Sequence, residues 1–389
     1  MPDHPIENGL TRTDAQLRET TSHEGPPSPG PVARKRVGLA LQGGGSWGAY
    51  TWGALDAVLA SRSVDIAQLS GTSAGAINAA IVAGALATGT PAEARRRLRS
   101  FWLTVAKPPA ADVGRRMWGP VERAWRDTID GWLVAGSALS PYSANPLGIN
   151  PLRAAIAAHV DVDAIRSRAA PALFVTVTHV RTGLPRVIAN DAITVDVLLA
   201  SAALPQLFQA VEIDGEPYWD GGYSGNPTLW PMIHSGLAQD LVVVQLVPDV
   251  APDVPKAPAA IRRRVGEIVF NSSLVAEMQA IAAMRALSPR DGGAAVLHDV
   301  RLHRVGPPSR ALLADGSSME RSHAWIERLH RAGRSAARNF LGRHGADIGV
   351  RETLEVARVY TGPHKPRMRL PANESAFDAL PAPRSAALG

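Results

Sequence analysis

The chain has 389 residues, 46% of them hydrophobic and 20% charged, with no cysteine. Without a thiol there is no disulfide framework, no cysteine nucleophile and no cysteine-held metal; the length and apolar content suffice for a large buried core. The formal charge is +6 at pH 7, but lysine occurs only at positions 35, 107, 256 and 365, so the arginine-rich bias reads as overall composition and no nucleic-acid partner is expected.

Residues 1–34 are rich in Pro, Gly, Ser and charge and are predicted to be a disordered tail. They hold no apolar signal core, and a cytoplasmic location is expected. The first strand is predicted at 37–42 (VGLALQ), ending in glycines, with a helix from 46 to about 59. A second short strand, 66–70, again meets a glycine and leads into a helix from Ala74. That segment, AGAINAAIVAGALA, is shorter than the roughly 20 residues a membrane span needs and carries Asn78 at its middle, so it reads as a core helix. The βαβα order predicts a parallel sheet. Thr90-Pro91-Ala92-Glu93 is a capping box that starts a helix carrying the basic run at 95–99, and Asn150-Pro151 starts another. Strands at 173–180 and 185–188 flank Arg181-Thr182-Gly183, a hairpin turn. Further strands are expected at 211–220, 241–247 and 296–305, and helices at 259–287, with arginines at 262–264, and 322–341. The expected organisation is an α/β domain over 35–250, with 100–150 as a cap or lid, a helical extension over 251–360 packed on it, and a second tail over 361–389.

Three motifs stand in order on this frame: Gly43 to Gly48 (GGGSWG), Gly71 to Gly75 (GTSAG) and Asp220-Gly221-Gly222. Each is weak alone, but only about one chain in a thousand of this composition would hold all three by chance. Two decoys compete. Gly44-Gly45-Ser46-Trp47-Gly48 is itself a GxSxG, and Asp291-Gly292-Gly293 is a second DGG. A nucleophilic serine on a strand-to-helix turn needs oxyanion donors from another loop, and only Ser73 has a glycine-rich loop upstream. Asp220 ends the apolar strand Glu216-Pro217-Tyr218-Trp219, where a carboxylate can be buried; Asp291 lies in a plain turn.

Gly43-x-Gly45-x-x-Gly48 also satisfies a dinucleotide fingerprint, with Asp65 near the spacing of a ribose-binding acid. That acid belongs at the carboxyl end of the second strand, whereas Asp65 precedes the predicted strand. A non-catalytic nucleotide or lipid binder is therefore the alternative class. His298 and His303 follow Ser73 in the order an ordinary Ser-Asp-His triad requires; the plainer expectation is strand histidines facing solvent.

The combination of strand, GGGxxG, helix, strand, GTSAG, helix and later DGG resembles the patatin-like phospholipase family over about 37–247. Asn78, the run Ser201-Ala202-Ala203-Leu204-Pro205 with Phe208, and Asn226-Pro227 add to the likeness. The resemblance implies a mainly parallel sheet flanked by helices and cleavage of acyl esters, of phospholipase A or lysophospholipase type, by a Ser-Asp dyad without metal or other cofactor. Carried over, Ser73 is the nucleophile, Asp220 its base, the Gly43, Gly44 and Gly45 N–H groups the oxyanion hole, and Gly48, Gly71, Gly75, Gly221 and Gly222 the motif glycines. One departure is Trp47, where many members carry Lys or Arg. A neutral-lipid or polyester esterase on the same scaffold is a further alternative. Trp118, Trp125 and Trp132 recur every seven residues, and 113–134 is expected to be a core cap helix or a lid touching a lipid surface.

Overall fold

The computed structural model describes residues 34–106, 140–251, 253–287 and 295–361. β1 (Lys35–Leu41) leads through a 3-10 turn at Gly45–Trp47 into α1 (Gly48–Ala60), and β2 (Val64–Gly71) leads into α2 (Ala74–Thr88). α3 (Pro91–Ala106) starts at the expected proline, with Thr90 Oγ1 accepting the Glu93 N–H at 3.3 Å. After α4 (Pro141–Ala144) and α5 (Leu152–His159), whose start is held by Asn150 Oδ1 on Leu152 N–H, comes α6 (Val162–Arg166). The hairpin β3 (Ala172–His179) and β4 (Pro185–Ala189) precedes α7 (Val195–Ser201), β5 (Val211–Ile213), β6 (Glu216–Asp220) and α8 (Trp230–Ser235). The chain continues through β7 (Asp240–Val244), α9 (Pro258–Leu287), α10 (Ala295–Asp299), β8 (Arg301–Val305), α11 (Arg310–Ala314), α12 (His323–His344) and α13 (Val356–Tyr360).

The eight strands of the described residues join one sheet in the order β5-β6-β3-β2-β1-β7-β8, with β4 on β3. The β3-β2-β1-β7-β8 neighbours are parallel, and β4 and β6 pair with β3 antiparallel. Parallel strands covered on both faces need apolar residues in both phases of their alternation. β1 and β7 show this directly. Val37, Leu39, Leu41, Val242 and Val244 join a core with α1, α2, α3 and α12, while Ala40, Leu241 and Val243 join a second core with Leu229, Met232, Leu274 and Met278. Strand order turns back between β1 and β7, so their carboxyl ends form the crevice where open α/β sheets bind ligands.

Two expected strands break differently. The 211–220 run is a hairpin, because Asp214 and Gly215 both take left-handed backbone (φ 54° and 78°) and reverse the chain between β5 and β6; Asp-Gly is the favoured pair for such a turn. Only the second half of 296–305 is strand. Its first half is α10, whose end is held by the Arg285 guanidinium bonding to the Leu297 and Val300 carbonyls. The 251–360 region is also more than an added layer of helices: β8 extends the sheet past β7, and α12 lies on α1 with His330 stacked on Trp52 at 3.8 Å.

Candidate active site

β2 ends at Gly71, and two residues later Ser73 opens α2 with φ 55° and ψ −127°. A side chain in that region of backbone space costs about 1–3 kcal/mol, and the surroundings must hold it there. They do so with hydrogen bonds: Ser73 N–H donates to Ser201 Oγ at 2.9 Å, and Ser201 Oγ donates onward to the Thr176 carbonyl at 2.7 Å. Close packing explains the flanking glycines. A Cβ on Gly75 would lie 2.2 Å from the Leu41 carbonyl oxygen, and one on Gly71 would lie 2.6 Å from that of Gly75. The turn therefore projects Ser73 at the carboxyl edge of the sheet, at the N-terminus of a fifteen-residue helix whose end favours negative charge.

The glycine loop follows β1 and lies against this turn: a Cβ on Gly43 would come 2.7 Å from Ser73 Cβ. Gly43 differs from its expected role. Its N–H is already bonded to Asn226 Oδ1 at 2.6 Å, whereas no acceptor is recorded for the Gly44 and Gly45 N–H groups among the described residues. Gly45 has φ 57°, and the Ser318 carbonyl would lie 2.3 Å from a Cβ there. Gln42, not singled out from the sequence, anchors the whole loop. Its Oε1 accepts from the Leu246 and Val247 N–H groups, and its Nε2 donates to Asn271 Oδ1 and the Asn226 carbonyl. A fully buried glutamine with both ends satisfied behaves as a rigid clip; its signal in the sequence was a polar residue closing an apolar strand. Asn271, on α9, is another residue that sequence reasoning missed, because its partner lies 229 positions away.

Asp220 ends β6 opposite Val177 of β3, fully buried. Its Oδ1 accepts the Gly222 N–H at 2.7 Å, and among the described residues its Oδ2 is buried without a hydrogen-bond partner. Burial pushes the carboxyl up to about 7, against the lowering effects of Gly222 N–H and of the Ser73 hydroxyl. Serine and carboxylate thus face each other without a well-formed hydrogen bond, a common state of unliganded sites. Gly221 and Gly222 allow this approach: Cβ atoms there would lie 2.1 Å from the Thr176 carbonyl and 2.4 Å from the Phe270 ring. At the start of α1, Gly48 packs on Ala74 beside the serine, and Asn78 ties α1 to α3 by donating to the Gly48 carbonyl and accepting from Trp102 Nε1.

The competing residues go elsewhere. Ser46 lies in the 3-10 turn with its hydroxyl on the Ser317 carbonyl at 3.2 Å. Asp65 lies inside β2 rather than before it, exposed and at the amino end of the sheet, away from the glycine loop. His298 is on α10, and His303, far from facing solvent, is fully buried in β8 between Asp240 (3.0 Å) and Thr353 (2.9 Å). Trp47 is buried, its indole N–H without a hydrogen-bond partner among the described residues. Asp291 and the Trp118, Trp125 and Trp132 segment lie outside the described residues.

The fold and this edge of the sheet define an α/β protein with a strained serine turn, a glycine loop beside it and a buried acid across from it. Its sequence matches the profile of the patatin-like phospholipases over residues 39–233, and the chain belongs to that family, whose members are in general lipid acyl hydrolases. No curated protein matches the chain. A solved structure that is similar is that of VipD from Legionella pneumophila, at 13% identity and a TM-score of 0.38, covering 80% of this chain and 68% of that one.

Proposed function

We propose that the chain is a serine acyl hydrolase in which Ser73 and Asp220 form a catalytic dyad acting on acyl esters of lipids, of phospholipase A or lysophospholipase type. The observation that carries this reading is the buried, unpartnered Asp220 Oδ2 beside a serine held at positive φ. A carboxyl shifted to about 7 is matched to proton transfer near neutrality. In the proposed reaction Ser73 Oγ attacks the ester carbonyl as its proton passes to Asp220. The Gly44 and Gly45 N–H groups and the start of α2 stabilise the oxyanion, and Asp220 then protonates the leaving alcohol. A water deprotonated by Asp220 then attacks the acyl-serine, and Asp220 returns that proton to the departing Ser73 Oγ as the fatty acid is released. Gly43 takes a different part in this scheme, anchoring the loop to Asn226.

The division into 35–250 as catalytic region and 251–360 as extension is, on this reading, one of chemistry rather than of packing, since α9 supplies Asn271 and Phe270 behind the loops of the site. A fluorophosphonate probe tests the proposal. Labelling mapped to the peptide carrying Ser73, and lost in Ser73→Ala, is the expected result; folded protein that takes no label would mark a non-catalytic binder. Hydrolysis measured across phospholipid, lysophospholipid, neutral-lipid and polyester substrates then identifies the ester.

A further inference from the structure

α9 presents two unlike faces. Asn271, Leu274 and Met278 are buried against the sheet, and Phe270 packs its ring on Gly222 and on Tyr223 at 5.1 Å. On the outward side of its first three turns stand Ile261, Val265, Ile268 and Val269, exposed by 43, 53, 53 and 36%. Their i, i+4, i+7, i+8 spacing makes one continuous apolar stripe. Val250 and Val254, in the loop before the helix, are exposed by 71 and 82%. Helical geometry puts Arg262 on one side of the stripe and Arg264 on the other. The acids nearby are mostly engaged: Glu267 with Arg264 and Arg310, and Asp249 with Arg304. That leaves Lys256 and Arg262 on the stripe's side of the helix without an ion pair among the described residues, against the exposed Asp253.

We infer that this stripe, with Val250 and Val254, is a docking surface for an anionic lipid bilayer, which sets the mouth of the Ser73–Asp220 site at the membrane. An apolar face between arginines is the pattern of a helix lying in a membrane interface, with cations meeting lipid phosphates. No helix among the described residues is long and apolar enough to cross a membrane, so the contact is peripheral. Continuity with the site supports the surface, because Val269 and Ile268 immediately precede the Phe270 that covers the DGG turn. The inference rests on the acyl-hydrolase reading only for its purpose, not for its test.

The test is co-sedimentation of the full chain with vesicles of ether-linked phosphatidylcholine, with and without ether-linked phosphatidylglycerol, which no esterase can cleave. Binding is expected only with the anionic lipid and should weaken as salt is raised. Lys256→Gln with Arg262→Gln should lower affinity about 5-fold per cation, and Val265→Asp with Ile268→Asp about tenfold or more, each with an unchanged melting temperature. Absence of vesicle binding by the unsubstituted chain, or equal binding by both variants, overturns the proposal. So does a dimer, seen by analytical ultracentrifugation, that dissociates in Val265→Asp/Ile268→Asp while vesicle binding persists; the stripe would then seat a second copy. Fluorophosphonate labelling of Ser73, read separately, reports on the hydrolase reading whichever way docking falls.

Discussion

Asp220 and Asp240 are both buried, at 0 and 3% exposure, at opposite ends of the parallel strands, and their surroundings treat them in opposite ways. Asp240 accepts from Arg301 Nε and Nη2, from His303 Nε2 and from the Gly349 N–H. Burial acts to raise its pKa, but these donors outweigh it and hold the carboxyl well below the usual range. Asp220 has one backbone donor and a bare Oδ2, and burial prevails. A buried carboxylate saturated with donors is a structural tie; one left short of donors is a base in waiting. The difference also explains His303. His303, one of the two histidines in the order a triad requires, is bound at the saturated aspartate instead.

The sharpest way to break this comparison is to remove each group of the proposed dyad. Ser73→Ala should cut hydrolysis of a soluble p-nitrophenyl ester by about 10⁴-fold or more, and Asp220→Asn by about 10³-fold, with circular dichroism unchanged. A comparable loss in folded Asp240→Asn would mean that the wrong aspartate had been read as reactive.

The pH profile sharpens it next. Only ionised Asp220 can accept the serine proton, so kcat/KM should fall about tenfold per pH unit below about 7 and level off above. A midpoint in the ordinary carboxylate range, near about 4, would show a charge stabilised by donors as Asp240 is.

Stability should separate the two with opposite signs. The pKa of Asp220 is raised on folding from 3.8 to about 7, so its native state prefers the proton. Its contribution becomes a growing penalty as pH rises from about 4 to 7. Asp220→Asn should thus melt higher than the unsubstituted chain at pH 8, by a margin that closes near pH 4. Asp240, with its pKa lowered, contributes stability above about 4 that is lost at lower pH. Asp240→Asn should cost about 2–3 kcal/mol at pH 7, the low end for a broken buried pair because Arg301 keeps part of its surface in water. Chemical denaturation at both pH values measures the two. The smallest effect is expected at the decoy: Ser46→Ala, which loses one hydrogen bond to the Ser317 carbonyl, should change turnover by no more than a few-fold, and an inactive Ser46→Ala would reverse the reading of the two serines.

Much of this molecule was legible as sequence because its signals are local. A strand that ends in glycine and runs into an apolar helix marks both β1 and β2, and the capping box at Thr90 and the proline at 151 mark helix starts through bonds that span three residues or fewer. The order of the glycine loop, GTSAG and DGG identified the family, and Ser73, the glycines around it and Asp220 meet at one edge of the sheet as the motif order implied. Elsewhere the local signals mislead: the strand-like pattern of 211–220 runs across the Asp214-Gly215 turn that divides it, and α10 reads as strand because the Arg285 that holds its carbonyls sits on another element.

What tertiary structure alone decided is where polar groups find partners, since hydrogen bonds between distant positions leave no trace in local spacing. Gly43 looked equivalent to Gly44 and Gly45 until Asn226, 183 residues on, took its N–H. Ser201 gained its place behind Ser73 from α7 packing on β3, and Gln42 became the loop's clip because α9 returns Asn271 to the end of β1. Asp240, which stands in no motif, became a tie, and Asp220, which does, a candidate base, through the number of donors that folding brought to each. The sequence determined which residues could react, and the fold decided which of them remained unsatisfied, because a buried charge answers to the donors around it rather than to the residues beside it in the chain.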